Sequence, residues 1–342
     1  MNHLKKSLCL LLCVVMALAA LTGCSGTGDK NATKPTATTT TAAPAAKTAL
    51  SVAGIQGPTG VGLANLMETG NTSAAIDYTF NILSSPDEVV AKFSTGEANI
   101  ASVPTNLAAK LYKKLNGDVQ MLAVNTAGVL YMLENGDTVH SVADLRGKTI
   151  YSTGEGANPE YVLRHVLQKN GLDPDRDVTI TYLTENSELI TKLATGEAQI
   201  AMVPEPAATT VMTKNANLRI ALSMDSEWNA VSPDSRMFMG CVIAKKSFVE
   251  QNKAAIDAFL TEYKASIEKA TADVDGTAAL CEKHGIIAAA AIAKNAIPRC
   301  NLVYLDGAEM KTTIAGYYQV LFAADPTSIG GAMPNDDFYY SR

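Results

Sequence analysis

The chain has 342 residues, 47% of them hydrophobic, with 28 Lys and Arg against 34 Asp and Glu for a formal net charge of -6. That length and apolar content suffice for one large core or two smaller ones. The acidic balance deepens if a leader carrying Lys5 and Lys6 is removed, and no block of like charge occurs, which argues against nucleic acid as a partner.

Residues 1–23 read as a secretory signal peptide. Lys5 and Lys6 give a basic start, and the apolar run from Ser7 to Leu21 is shorter than the roughly 20 residues of a spanning helix. Leu21-Thr22-Gly23-Cys24 resembles the bacterial lipoprotein cleavage box, which makes Cys24 the candidate lipidation site and new N-terminus. Residues 24–47 are rich in Thr, Ala and Pro, with too little to bury to offset the entropy of ordering, and predict a flexible tether. Anchor and tether together place the folded part outside the cytoplasm, attached to the bacterial cell membrane by lipid alone. Cys9 and Cys13 leave with the signal. Cys241, Cys281 and Cys300 remain, without a close-spaced metal pattern. Buried free thiols are expected, while the compartment also permits a Cys281–Cys300 disulfide.

Ala49 to Ile55 predicts a first strand, and the glycine-rich turn Gln56 to Gly62 leads into a helix ending near Gly70. The turn lacks the Lys-Ser/Thr ending of a phosphate loop, and its glycine order does not fit the dinucleotide fingerprint. It either brings backbone amides to a ligand or is simply a tight turn. Alternation of Ile76, Tyr78, Phe80 and Ile82 predicts a second strand. Ser85 at the N-cap, Pro86 at the first helical position and Glu88 at the third predict a capping box.

Asp87 to Lys110 begins a repeat. Ser94-Thr95-Gly96-Glu97-Ala98-Asn99-Ile100-Ala101-Ser102-Val103-Pro104 returns one hundred positions later as Ala194-Thr195-Gly196-Glu197-Ala198-Gln199-Ile200-Ala201-Met202-Val203-Pro204. Each copy reads as an amphipathic helix stopped by glycine, then a buried strand ending at proline. Two copies are too few for a solenoid and predict two similar lobes with a cleft between them.

Between and beyond the copies, helices are predicted at Leu107–Leu115, Asn158–Gly171, Glu250 to about Ala270, Thr277–Ala293 and Met310–Phe322. Asn158 is placed at an N-cap with Pro159 following it. Strands are predicted at Val119–Ala127, at Lys148–Tyr151 behind a short helix, at Val178–Leu183, Leu218–Met224 and Phe238–Ala244, with a loop-like tail from Asp325. Trp228, the sole tryptophan, falls in a predicted loop. The alternation of strands and helices argues an α/β class with mostly parallel, doubly covered sheets.

In this order the cleavage box at Cys24, Ser141-Val142-Ala143-Asp144-Leu145-Arg146-Gly147-Lys148-Thr149-Ile150, the glycine-rich helix start at 153–158 and Leu193 to Pro206 resemble the extracytoplasmic solute-binding proteins of ABC importers. The resemblance is to the nitrate/sulfonate/taurine and thiamine-pyrimidine group and covers essentially the whole mature chain. It implies a type II periplasmic-binding fold: lobe one at 48–124 plus 243–342, lobe two at 128–240, and two crossover strands near Asn125 and Cys241. A ligand would lie between the lobes, held by loops after the strands and by helix N-termini.

The positions this places at the cleft are Gln56, Thr59, Gly60, Ser84, Ser85, Thr105, Asn106, Asn125, Thr126, Ser152, Thr153, Glu155, Gly156, Ala157, Asn158 and Glu205. For Ser85 and Asn158 helix capping alone is an equal account, and for Glu205 a solvated charge between prolines is the alternative. None of these loops carries Lys or Arg, whereas Glu155 and Glu205 are acidic, which favours an amine-bearing, zwitterionic or heteroaromatic solute over a simple anion. The expected function is solute capture by a monomer and delivery to an ABC permease, with no cofactor and no metal. Two alternatives share the fold: an enzyme resembling the thiamine-pyrimidine synthases or a lyase, and a ligand sensor for a membrane receptor. His140, His165 and His284 are scattered and the synthases' cysteine-rich motif is absent, so binding without catalysis is favoured.

Overall fold

The computed structural model describes residues 46–342; the leader, the Cys24 box and the tether as far as residue 45 lie outside the described residues. β1 (Thr48–Ile55) runs through α1 (Pro58–Val61) and α2 (Ala64–Thr69) to β2 (Ile76–Leu83), α3 (Pro86–Thr95), β3 (Ile100–Pro104), α4 (Thr105–Lys114) and β4 (Gln120–Thr126). The chain then crosses to β5 (Leu130–Asn135), β6 (Thr149–Thr153), α5 (Asn158–Lys169), β7 (Thr179–Leu183), α6 (Asn186–Thr195), β8 (Ile200–Pro204), α7 (Ala207–Lys214), β9 (Leu218–Ser223) and α8 (Met224–Val231). It returns as β10 (Gly240–Ala244), α9 (Lys246–Gln251), α10 (Lys253–Ala272), α11 (Val274–Lys283), α12 (Ala290–Ala296), β11 (Leu302–Asp306) and α13 (Gly307–Ala324).

Two sheets result, ordered β2-β1-β3-β10-β4-β11 and β7-β6-β8-β5-β9. In each, the first three strands and the fifth run in one direction and the fourth runs against them, so the second sheet repeats the first without its β11 edge. Most strands of each sheet share one direction, as expected, but the inserted strands make both sheets mixed. The cause is the crossing: β5 and β10 each arrive from the other lobe and insert antiparallel beside β8 and β3. Local alternation of strand and helix carries no information on the direction of a strand that enters from elsewhere.

The sequence repeat occupies the same place in both sheets. Val89 and Phe93 of α3, like Leu189 and Leu193 of α6, are fully buried. Gly96 and Gly196 close the two helices in the left-handed region, at φ 85 and 78, where a side chain would be strained. Pro104 and Pro204, which have no N–H to donate, end the central strands opposite Gly240 and Leu130, the first residues of the incoming ones.

Helices cover both faces of each sheet. Val52, Leu122 and Val242 pack under Ile256, Phe259 and Leu260 of α10, while Met121 and Cys241 meet Tyr317, Tyr318 and Leu321 of α13. In the second sheet Leu133, Ala201 and Val203 meet Leu189, Leu193 and Val211, and Met132 and Met202 meet Val162 and Val166 of α5. The cluster around α13 runs on through Trp228 into α5, so the two lobes share a core behind the crossovers. Trp228 lies on α8, not in a loop, and is fully buried, 5.4 Å from Tyr317 and 4.5 Å from His165 between ring centroids. Segments 127–129 and 232–239 carry the chain between sheets, side by side, with Met239 N donating to Thr126 O at 2.9 Å.

Candidate functional site

The lobes meet along a seam of polar groups at the C-terminal ends of the parallel strands. α4 starts directly after β3 and α5 directly after the β6 turn, and neither N-terminus has a side-chain cap. Their first residues face each other: Asn158 Nδ2 donates to Thr105 Oγ1 at 3.4 Å, and Thr105 Oγ1 donates onward to Phe238 O at 2.6 Å. Both side chains are buried, and Asn158 Oδ1 has no hydrogen-bond partner. A buried acceptor left unpaired costs about 1–3 kcal/mol, so this oxygen is the group in the seam that most needs a donor. Asn158 is the first helical residue, with Ala157 at the N-cap, which corrects its expected capping role and frees its amide for the seam. Lys110 Nζ also spans the lobes, reaching Gly156 O at 3.4 Å.

Glu205 is neither a solvated charge nor an unpaired one. Its side chain is fully buried, and its Oε1 accepts from Arg299 Nε at 2.5 Å. Its Oε2 accepts from Thr209 N at 3.1 Å, in the first turn of α7, and Arg299 Nη2 donates to Thr209 Oγ1. The expectation of a seam without basic side chains is thus corrected: Arg299, from the segment before β11, cancels one of the two carboxylates on which it rested. Glu155 remains exposed at the rim.

The other candidates divide by what already occupies their polar atoms. Asn125 Nδ2 is held by Thr59 O, Ser102 Oγ and Tyr263 Oη at 2.9–3.2 Å, and its Oδ1 accepts from Thr126 Oγ1 at 2.8 Å. These residues brace the first turn from beneath. Gly60 is buried there, and a Cβ at its position would run into the Ile55 carbonyl oxygen. Gln56 is exposed and donates to Gly285 O at 3.0 Å. Ser84 and Ser85 are engaged with Glu88 in the capping box. Ser152 bonds to its neighbour's carbonyl, Thr153 Oγ1 to Asn186 Oδ1 at 2.9 Å, and exposed Gly156 N to Glu160 Oε2 at 2.7 Å. Asn106 is buried beside Thr105 at the start of α4. The seam proper therefore gathers Thr105, Asn106, Asn158 and Glu205 from the expected set and adds Thr209 and Arg299.

The described histidines and thiols are engaged, buried or exposed. His165 Nε2 meets Ser232 Oγ at 2.7 Å, and burial, with Lys169 nearby, pushes its pKa down to about 4. His284 meets Glu68, and His140 is exposed. Cys241, Cys281 and Cys300 are free and buried, with burial pushing the Cys281 thiol up to about 12. The permitted Cys281–Cys300 disulfide is not formed. A cavity of about 520 Å³ lies away from the seam, between α5, residues 231–235 and α13.

Two mixed α/β lobes with reciprocal crossovers and a polar seam at the strand ends define the type II periplasmic-binding fold. Residues 93–276, more than half of the chain, match the family described as NMT1/THI5 like, and the chain belongs to that family. Similar folds include an ABC transporter from Parabacteroides distasonis, 23% identical over 86% of this chain and 100% of that one, with a TM-score of 0.74. The periplasmic aliphatic sulphonate binding protein SsuA from Escherichia coli is 13% identical over 86% and 93%, with a TM-score of 0.68. The periplasmic nitrate-binding protein NrtA from Synechocystis PCC 6803 is 14% identical over 77% and 74%, with a TM-score of 0.55. At these identities the likeness is one of fold. A search of the curated proteins returns no match.

Proposed function

We propose that this protein is the extracytoplasmic substrate-binding component of an ABC importer, capturing a small organic solute between its lobes and passing it to a membrane permease. The observation that carries the reading is Asn158 Oδ1, buried and unpartnered between two uncapped helix N-termini on opposite lobes. Such a seam offers backbone donors to a solute's acceptor and one acceptor to its N–H or O–H. With Glu205 neutralised by Arg299 and Glu155 at the rim, a zwitterionic or heteroaromatic solute with a donor group fits better than a simple anion. The fold neighbours named for sulphonate and nitrate support solute capture as the role, while the orphaned acceptor sets this seam apart from a site for an anion without donors.

Catalysis is not part of the proposal. Histidines 140, 165 and 284 and the three described thiols are each exposed, paired or buried. A thermal-shift panel of small metabolites finds the solute, since binding to the native state raises its melting point. Calorimetry then tests the seam: Asn158→Ala should weaken binding roughly tenfold, the worth of one good hydrogen bond, with little change in melting temperature. Equal affinity in the variant would move the site elsewhere, and turnover of the bound solute would make the protein an enzyme.

The lipid anchor belongs to the same proposal. Among the described residues no helix is long and apolar enough to cross a membrane. Cys24→Ala should shift the protein from the membrane fraction to the soluble one, and equal retention of the variant would remove the anchor from the account.

A further inference from the structure

We infer that Arg299 is a positioning residue that latches the two lobes together. The short 3-10 turn that carries it, Ile297–Arg299, belongs to the first lobe: Ile297 is buried among Val61, Ala64, Ala270, Ala278 and Cys281. Everything that Arg299 grips belongs to the second. Its Nε and Nη2 donate to Glu205 and Thr209, and its carbonyl oxygen accepts from Tyr131 Oη at 2.9 Å. The next contacts hold the first crossover itself: Ala127 N donates to Asn301 O at 3.0 Å, and Asn301 Nδ2 donates to Gly128 O. Residues 299–301 thus form a strap from the first lobe over the crossover and onto the second.

The ion pair is more than a surface contact. Glu205 has no exposed side-chain area, while 32% of the Arg299 side chain remains open to solvent. Separating the lobes would break the pair and expose or strand a carboxylate that also accepts from the first turn of α7, so the pair stabilises the arrangement in which the lobes meet. Arg299 is the only charge between Lys294 and Asp306, and its ion-pair partner is Glu205. That the arrangement it holds is the solute-holding one rests on the proposed function; the latch itself does not.

The test places spin labels on Asp87→Cys and Ser187→Cys, exposed equivalents in the two half-repeats, and measures their separation in the full chain without solute. Cys241, Cys281 and Cys300, the three thiols among the described residues, are buried, and Cys9, Cys13 and Cys24 are replaced by Ser in the labelled protein. The labelled protein should give one short, narrow distance. Arg299→Gln should add a longer population at the expense of the short one, whose ratio to the open form falls roughly tenfold, with Arg299→Lys between. Arg299→Gln with Glu205→Gln should stay open yet regain melting temperature, since no buried charge is then unpaired, and it decides the matter if the single variant does not fold. Unchanged distances in the double variant, with only stability altered, would overturn the latch and leave Arg299 a structural ion pair. The distances need no ligand, so a failed solute screen would sink the proposed function and not the latch, and unchanged distances would do the reverse.

Discussion

Glu205→Gln should lower the unfolding free energy by about 2–3 kcal/mol, read as a shift of the urea midpoint at constant slope. The amide keeps an oxygen for Thr209 N but presents either no charge or a second donor to Arg299 Nε, so a short charge-assisted bond in a buried setting is lost. The estimate sits at the lower end of what breaking a buried pair costs because Arg299, partly exposed, can turn towards water. An unpaired Glu205 holding a cationic solute, the reading open from sequence, predicts the reverse pattern: a large loss of affinity and almost none of stability. Denaturation and calorimetry on one variant separate the two.

Trp228→Ala should have the largest effect of any single change away from the seam, about 3–5 kcal/mol. The indole fills the point where α5, α8 and α13 converge, and its Nε1 donates to Ser235 O at 3.2 Å. Removing it leaves a cavity in the core shared by both lobes, a buried carbonyl without its donor, and His165 and Tyr317 without the ring between them. Trp228→Phe should recover much of the packing and none of the hydrogen bond. A loss under 1 kcal/mol in Trp228→Ala, from urea or thermal denaturation, would show that this junction can collapse and is not a fixed core.

What was legible in the sequence was local. The capping box at Ser85, the glycine stops at Gly96 and Gly196 and the repeated apolar trios depend on neighbours within four residues, and each predicts its element. The two-lobed architecture followed from the repeat, since similar helix–strand units occupy equivalent places in two sheets. Strand direction at the crossovers did not follow, because β5 and β10 are antiparallel by virtue of partners far along the chain. Leu302–Asp306 is a strand and Met224–Val231 a helix that the sequence reading does not include.

At the seam, Asn158 meets Thr105 across the lobes, while Glu205 is paired with Arg299 and Thr209. Asn158 reads as a cap because an Asn before a Pro satisfies the usual capping pattern, which places the cap one position late. Arg299 was invisible in a different way. Its ion pair spans 94 positions, and nothing local marks an arginine as a partner. One signal did exist: a lone charge between Ile297 and Cys300, both buried, needs an acidic partner brought to it by the fold.

The most direct test of solute capture is a crystal structure of the protein with the stabilising solute bound. The account predicts solute between the lobes, with an N–H or O–H within about 3.2 Å of Asn158 Oδ1 and an acceptor towards the first turns of α4 and α5. Solute bound away from the seam, as in the cavity beside His165 and Ser235, with Asn158 Oδ1 still unpartnered, would contradict it.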